Sequence, residues 1–198
     1  MDFMYDYDNG LYFNLTNRCP CRCDFCVRSK VDSLGSAKSL WLNDEPTLDE
    51  VLDALAKTDV FKYDEVVFCG YGEPMERVYD VIQIADYIKE SYALKVRINT
   101  NGLGDLIHNT DTAKLIADHI DAVSVSLNAP NSRRYMEICH PSFGEKAYPA
   151  MLKFAENAVK LIPDVTMSVV DVISPQEIDE CRSIAEKIGA KFRVRNCY

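Results

Sequence analysis

The sequence predicts an α/β fold of parallel strands, because β-type apolar runs alternate with amphipathic helical stretches from end to end. Strict alternation implies parallel strands joined by right-handed crossovers. Both an open doubly wound sheet and a barrel-like (β/α) array fit this pattern, and both place chemistry at the carboxyl ends of the strands. A complete eight-unit barrel takes about 250 residues, so six units predict an incomplete barrel with one open side.

Length and composition suit one domain that spans residues 1–198. No apolar run approaches the roughly 20 residues of a membrane-spanning helix. The acidic N-terminal segment lacks the basic and apolar regions of a signal peptide. We therefore expect a cytoplasmic protein without a membrane partner. In that compartment clustered cysteines indicate metal or redox chemistry more often than disulfides.

The charge argues against a nucleic-acid partner. The formal net charge is −9, and the lysines and arginines are scattered rather than gathered into a patch. Proteins that grip polynucleotides through phosphates usually carry such a patch. A small basic pocket remains compatible with this composition.

The first half of the chain predicts two strand–helix units. The first strand, residues 11–16, leads into a cysteine-rich loop, and a long polar connection over 27–46 contains the apolar pair Leu40-Trp41. Thr47 and Glu50 form a capping box that begins the first helix. The second strand covers 65–69 and is followed by a helix over 76–91 with a buried stripe at helical spacing.

The second half continues the alternation with four more strands. They are expected over residues 95–100, 122–127, 165–172 and 191–195, with helices over 112–119, 147–161 and 175–189. The last helix has Ser174 as its N-cap, Pro175 at its first position and Glu177 three residues after the cap. Residues around His140-Pro141 are expected to form a polar loop.

Polar or chemically unusual residues follow nearly every strand. They are the cysteines after the first strand, Gly72-Glu73 after the second, Asn99 to Asn101 after the third, Ser126 and Asn128 after the fourth, and Arg195 after the sixth. Since the carboxyl ends of parallel strands lie at one edge of a sheet, these residues are expected to converge.

Four of the eight cysteines lie between positions 19 and 26, and Cys19, Cys23 and Cys26 have the spacing C-x3-C-x2-C. Thiolates bind zinc, iron–sulfur clusters or soft copper. A structural zinc site usually takes two separated C-x2-C pairs, and Cys19 and Cys21 are too close for one of them. A compact loop can instead hold three corners of a four-iron cluster and leave the fourth iron open.

This spacing, with the aromatic Phe25 before the third cysteine, resembles the signature of the radical S-adenosylmethionine (SAM) superfamily. Gly72-Glu73-Pro74 resembles the glycine–glutamate motif of that superfamily after the second strand. The resemblance implies a partial (β/α)6 TIM-type barrel. More narrowly, residues 68–74 and 140–145 resemble the subgroup called TatD-associated radical SAM proteins.

The resemblance also implies a cofactor set and a reaction. Cys19, Cys23 and Cys26 would hold a [4Fe–4S] cluster whose open iron is chelated by the amino and carboxylate groups of SAM. One electron from an external reductant would cleave SAM to methionine and a 5′-deoxyadenosyl radical, which abstracts hydrogen from the substrate. The expected activity is therefore of the oxidoreductase or lyase type.

Eight residues are implied as SAM contacts. They are Phe25 near the adenine, backbone groups of Tyr71, Gly72 and Glu73 near the methionyl ammonium, Asn99, Ser126 and Asn128 near the ribose or carboxylate, and Arg195 near the carboxylate. Two departures from the family pattern stand out. Tyr71 occupies the first glycine position of the usual Gly-Gly-Glu, and Cys21 is a surplus thiol that fits an alternative ligand, a proton donor or a bystander.

The substrate cannot be read from the sequence. We expect a protein or peptide substrate, because a partial barrel needs something to close its open side. The remaining cysteines are expected to be ordinary thiols, and Trp41 to cover the loop with apolar surface. The alternative interpretation is a non-catalytic zinc-binding or iron–sulfur-binding scaffold protein.

Overall fold

The fold is a twisted sheet with helices along one face, and the computed structural model describes residues 2–31 and 33–197. Within those residues the sheet has seven strands: β1 (Met4–Tyr7), β2 (Gly10–Phe13), β3 (Glu65–Phe68), β4 (Lys95–Thr100), β5 (Ala122–Ser126), β6 (Asp164–Val170) and β7 (Lys191–Arg195). The α-helices are α1 (Leu48–Ala56), α2 (Val78–Tyr92), α3 (Gly104–His108), α4 (Thr112–Ile116), α5 (Ser132–Cys139), α6 (Ala147–Leu161) and α7 (Pro175–Ile188).

The strands lie in sequence order from β1 to β7, and β2 to β7 are all parallel. A doubly wound sheet would require the order to reverse at a switch point. Without a reversal, right-handed crossovers place every helix on the same side, which is the barrel-like arrangement. The α/β fold class and its partial barrel are confirmed.

Local capping explains where the helices begin. Thr47 accepts a hydrogen bond from the backbone N–H of Glu50, whose side chain accepts one from the N–H of Thr47, and Ser174 and Glu177 repeat the arrangement before α7. Helices α6 and α7 and strands β4 and β7 match their predicted bounds within one residue.

Three elements of the structure were not predicted from the sequence, namely β1, α3 and α5. Strand β1 precedes the predicted first strand and pairs antiparallel with β2 through a turn at Asp8 and Asn9, whose φ values are +48° and +61°. Such left-handed conformations are typical of tight hairpin turns. Helix α5 occupies part of the expected polar loop, and Asn131 caps it by accepting from the N–H of Arg134 at 2.9 Å.

The convex face of the sheet packs on the helices and forms the main core. Alternate strand residues such as Phe68, Ile98, Val125 and Met167 point into it and are fully buried. Since side chains alternate across a strand, the intervening residues face the concave side.

We call the concave side of β1 to β3 the covered half, because the described residues of the segment 27–42 (27–31 and 33–42) lie over it. Its apolar cluster consists of Tyr5, Tyr12, Ala37, Leu40, Val67 and Tyr71. We call the concave side of β4 to β7 the open half. Apart from Ala122 and Val170, its side chains are polar: Lys95, Arg97, Asn99, Ser124, Ser126, Asp164, Thr166, Ser168, Lys191, Arg193 and Arg195.

In the part of the chain that the structure describes, every helix is too short or too polar to cross a membrane.

Candidate functional site

The cysteine loop follows β2 and is held by the end of α5. The N–H groups of Arg22 and Asp24 donate to the carbonyls of Cys139 and Ile138, both at 3.0 Å. The last carbonyls of a helix have no partner within the helix, so the loop satisfies groups that would otherwise need water or a cap. The N–H of Ser142 adds a bond of 2.8 Å to the carbonyl of Pro20. The loop is therefore fixed along one flank by backbone contacts.

The three predicted ligands differ from the surplus cysteine in exposure. Cys19, Cys23 and Cys26 are half-buried free thiols, whereas Cys21 is 3% exposed and belongs to the main core. The Cys21 Sγ lies 3.9 Å from the hydroxyl of Tyr135 on α5. Cys21 thus lies between the loop and the helix layer, in contact with a helix that the sequence did not predict.

Neighbouring thiols and burial raise the pKa values of the loop cysteines. A side-chain contact with Cys21 and then burial raise the pKa of Cys19, and a contact with Cys139 raises that of Cys23. For Cys21, contact with Cys19 lowers the pKa, but contact with Cys23 and burial bring it to about 12. Burial is the main cause of the raised pKa of Cys26. Crowded, partly buried thiols favour thiolates only when a cationic centre compensates them.

Phe25 is half-buried and packs against the main core beside the loop. A cavity of about 550 Å³ opens next to Cys19, and Arg18, Arg28 and Glu76 contribute to its walls. None of the predicted SAM contacts lines this cavity. Within the described residues, no three His, Cys, Asp or Glu side chains form a group that could hold a metal ion.

Glu73 joins the ends of two strands with its carboxylate. It is 4% exposed and accepts from the N–H of Met75 at 3.0 Å, the hydroxyl of Thr100 at 2.6 Å and the N–H of Asn101 at 2.7 Å. Burial raises its pKa to about 7, against the lowering effect of these three donors. Asn101 in turn directs its Nδ2 toward the Cys19 Sγ at 3.8 Å. The Glu73 carboxylate therefore positions Asn101 against the loop.

Gly72 is required by the close approach of the cysteine loop. A Cβ at this position would lie 2.1 Å from the carbonyl oxygen of Thr16 and 2.8 Å from that of Arg18. The N–H of Glu73 donates to the same Arg18 carbonyl at 2.8 Å. The glycine–glutamate turn thus packs directly on the residues that precede Cys19.

Tyr71 lies in the covered half rather than at an exposed surface. Its ring is 2% exposed and meets Trp41 edge-on at 5.2 Å between centroids, and its hydroxyl donates to the carbonyl of Val31. The Tyr71 N–H donates to Asn14 Oδ1 at 3.1 Å, and Asn14 Nδ2 donates to the Leu40 carbonyl at 2.5 Å. A tyrosine replaces the usual glycine here because its side chain fills the space beneath the segment 27–42.

Two asparagines that sequence reasoning missed hold that segment. Asn14 contacts Leu40 and Tyr71, as described, and Asn17 exchanges hydrogen bonds with the backbone of Leu42 at 2.7 and 3.1 Å. Trp41 lies between these fixed residues and is 42% exposed. The only sequence signal for this role was the position of the two asparagines, which lie between the end of β2 and the first cysteine of the loop.

The remaining predicted contacts lie on the concave face of the later strands. Asn99 accepts from Arg97 at 2.6 Å, and Ser126 accepts from Arg195 at 3.4 Å. Asn128 is 5% exposed with a φ of +58°, and its Nδ2 lies 3.9 Å from the Cys139 Sγ. Its Oδ1 is buried without a hydrogen-bond partner among the described residues. A buried hydrogen-bond acceptor without a partner in the protein usually marks a place where a ligand or a water molecule donates the hydrogen bond.

Comparisons with known proteins agree with this geometry. The family model described as the Radical SAM superfamily matches residues 13–188. A probable GTP 3′,8-cyclase of Methanocaldococcus jannaschii is 27% identical over 93% of this chain, and a PqqA peptide cyclase of Methylobacterium sp. is 28% identical over 92%. The chain spans about half the length of these relatives, 57% and 44%.

A solved structure of Streptococcus suis SuiB bound to S-adenosylmethionine shares the fold. Its TM-score is 0.65 at 21% identity, over 94% of this chain and 38% of SuiB. The likeness supports the partial-barrel architecture.

Proposed function

The chain belongs to the radical SAM superfamily, and from this premise we propose that it is an enzyme whose Cys19, Cys23 and Cys26 hold a [4Fe–4S] cluster. The observation that carries the proposal is the separation of the loop thiols into two kinds. Three are half-buried, and the surplus Cys21 lies in the core. Three thiolates from one loop suit a cluster that keeps one iron available.

When bound, the cluster supplies the electron that cleaves SAM to methionine and the 5′-deoxyadenosyl radical that abstracts hydrogen. The protein's own residues hold the loop in place for this chemistry. Arg28 Nη2 donates to the Cys21 carbonyl at 3.1 Å and ties one side of the loop to the other. The Asn101 amide near the Cys19 sulfur provides a hydrogen bond of the kind that tunes cluster potentials.

We propose that SAM lies between the loop and the ends of β3 to β7. Asn128 supports this placement, because its buried Oδ1 needs a donor such as a ribose hydroxyl. Arg195 and Ser126 would meet the carboxylate as a charge-assisted pair, with Asn99 beside them. Tyr71, Gly72 and Glu73 would contribute backbone groups near the methionyl ammonium, and Phe25 would face the adenine.

We propose a protein or peptide substrate and a one-electron reductant supplied from outside the chain. The open half supports the first point, because most of its polar side chains are accessible to a large molecule. The PqqA peptide cyclase among the relatives has a name that specifies a peptide. We also propose an oxidoreductase or lyase reaction in a cytoplasmic setting, without nucleic-acid or membrane partners, in a core domain spanning 1–198.

We propose membership of the TatD-associated subgroup on the residues 68–74 and 140–145. The first segment forms the turn that packs on the cysteine loop, and His140 Nε2 lies 2.8 Å from Asp24 Oδ1 of the loop. Both segments therefore support the loop. A neighbouring gene for a TatD-type protein would strengthen this placement, and consistent absence of one across relatives would contradict it.

Anaerobic reconstitution tests the proposed cluster. The protein should turn brown, bind about four iron ions per chain, and release 5′-deoxyadenosine with dithionite and SAM. Cys23→Ala should reduce bound iron to background. Cys21→Ala is the matched control, since it removes a thiol two positions away, and it should keep the cluster.

A non-catalytic scaffold predicts different results. A colourless protein with one zinc ion would overturn the cluster, and a brown protein that never releases 5′-deoxyadenosine would overturn the enzyme. Loss of iron in Cys21→Ala but not in Cys23→Ala would reassign the ligands.

A further inference from the structure

The open half of the concave face carries several cations, and three of them are paired with carboxylates: Lys95 with Asp164, at 3.6 Å, and the two pairs that follow. Arg97 Nη2 lies 2.6 Å from Glu65 Oε1, and Lys191 Nζ lies 3.0 Å from Asp164 Oδ1. Each of these last two pairs joins neighbouring strands. These cations therefore have structural partners already.

Arg193 differs from these cations. It lies between Lys191 and Arg195 on the same face of β7, in register with Ser168 of β6. It is exposed, and it forms no ion pair or side-chain hydrogen bond with residues 2–31 or 33–197. Phe192, the preceding residue, packs against the main core on the other face, which fixes the side of the strand that Arg193 presents.

The surroundings of Arg193 are neutral hydroxyl groups and a second guanidinium. Ser168 is in register with Ser126, whose Oγ accepts from Arg195 at 3.4 Å. Thus the face near Arg193 offers positive charge and hydroxyl donors. Among the described residues, the one carboxylate that β5 to β7 place on this face is Asp164, which lies four positions before Ser168 and is already paired with Lys191 and Lys95. In a chain of net charge −9, this local excess of positive charge stands out. A guanidinium presents a planar pair of N–H donors that matches the two oxygens of a carboxylate or phosphate.

We propose that Arg193 binds an oxyanion of the substrate, either a carboxylate or a phosphate group. The proposal rests on the proposed function only in identifying that ligand as the substrate. An acidic side chain of a peptide and the phosphate of a small molecule would both supply this chemistry. In either case Arg193 determines specificity, and it takes no part in the electron or hydrogen transfer.

Calorimetric titration of the reconstituted protein with SAM, under anaerobic conditions, tests the proposal. Tetraglutamate and pyrophosphate are the two probes, and they distinguish a peptide carboxylate from a phosphate. At least one should bind, and Arg193→Gln should weaken that binding about tenfold or more, as expected when a hydrogen bond to a charged group is lost. Arg193→Lys should retain part of the affinity, because it keeps the charge and loses the planar pair of donors.

Arg182→Gln is the matched control. The Arg182 guanidinium lies over the ring of Phe192 at 4.8 Å, on the opposite face of β7. The Arg182→Gln substitution therefore removes one positive charge, as Arg193→Gln does, but from the face that points away from the open half. The affinity of the Arg182→Gln variant for the probes should equal that of the wild-type protein. Failure of both probes to bind, or equal affinities for wild type and Arg193→Gln, would overturn the proposal.

The two proposals fail independently. If the protein releases 5′-deoxyadenosine but binds neither anion, only the proposed role of Arg193 is contradicted. If the protein binds an anion through Arg193 but does not take up iron on reconstitution, only the proposed reaction is contradicted.

Discussion

The covered and open halves of the concave face belong to one sheet but have opposite chemistry. The covered half is apolar and aromatic, and Leu40 within it is fully buried. The open half presents hydroxyls, amides and guanidinium groups which, apart from the buried Ser168, have intermediate or high exposure. Parallel strands of a barrel usually surround a packed interior. Among the described residues of this protein, only the first three strands have a packed apolar cluster on the concave side.

This difference separates two tasks. The covered half holds the segment 27–42 and, through Asn14 and Tyr71, the turn that packs on the cysteine loop. It therefore fixes the position of the loop. The open half has polar side chains that a ligand can reach. Rigidity near the loop and access near the later strands follow from the residues that each half places inward.

The largest expected loss of stability comes from a substitution in the covered half. Leu40→Ala should lower the free energy of unfolding by about 2–5 kcal/mol, because it leaves a cavity where the segment 27–42 packs on the sheet. Ser124→Ala, on the open half, is the control and should change it by about 0.5 kcal/mol or less. Urea denaturation of both variants provides the measurement. Equal losses would mean that the two halves are packed alike.

A pH effect should appear where the two halves join. Glu73 links the end of β3 to β4, and burial raises its pKa from 4.5 to about 7 in the folded state. The folded protein therefore retains this proton over a range where the unfolded chain has lost it. Stability should fall as pH rises from about 4.5 to about 7 and change little above that range, with a total of roughly 3 kcal/mol at most.

Denaturation of the metal-free protein between about pH 4.5 and about pH 8, compared with Glu73→Gln, measures this contribution. The variant should lack the part of the slope that Glu73 supplies. An identical slope in both proteins would show that the Glu73 carboxyl is ionised throughout.

The smallest effect concerns the ion pair at the boundary of the halves. Arg97 and Glu65 have side chains that are 18% and 25% exposed, so solvent screens part of their attraction. Glu65→Gln should destabilise the protein by about 1 kcal/mol, since the amide still accepts one hydrogen bond from Arg97. A double-mutant cycle with Arg97→Gln isolates the pair. A coupling energy near zero would mean that the boundary depends on packing alone.

Short-range signals predicted much of the fold. The capping boxes at Thr47 and Ser174 marked helix starts, and the apolar runs of β4 and β7 indicated their bounds directly. Alternation and handedness allowed both an open sheet and a barrel, and the observed strand order decides for the barrel. The cysteine spacing and Gly72-Glu73 indicated the site because each requires a particular residue type at a particular spacing.

The missed features depend on contacts between distant parts of the chain. Nothing local shows that the polar segment 27–42 folds onto the concave face, since that depends on Asn14 and Asn17 meeting the backbone of Leu40 and Leu42. Helix α5 is only eight residues long, and its buried residues Tyr135, Ile138 and Cys139 cover little more than one turn, which is too short a pattern to mark a helix. The role of Asn101 became visible only when its two neighbours, the Glu73 carboxylate and the Cys19 thiol, were seen on either side of it.

The bonds between the cysteine loop and the last carbonyls of α5 have a consequence for the order of assembly. The loop lies near the start of the chain, but its partners Ile138 and Cys139 are synthesised much later. Contacts so far apart in sequence carry a large loop-closure cost, so we expect them to form after the intervening strands have paired. The thiols therefore reach their final arrangement only when β5 and α5 are in place. The proposed cluster would therefore be assembled after β5 and α5 have folded, and not on the isolated cysteine loop.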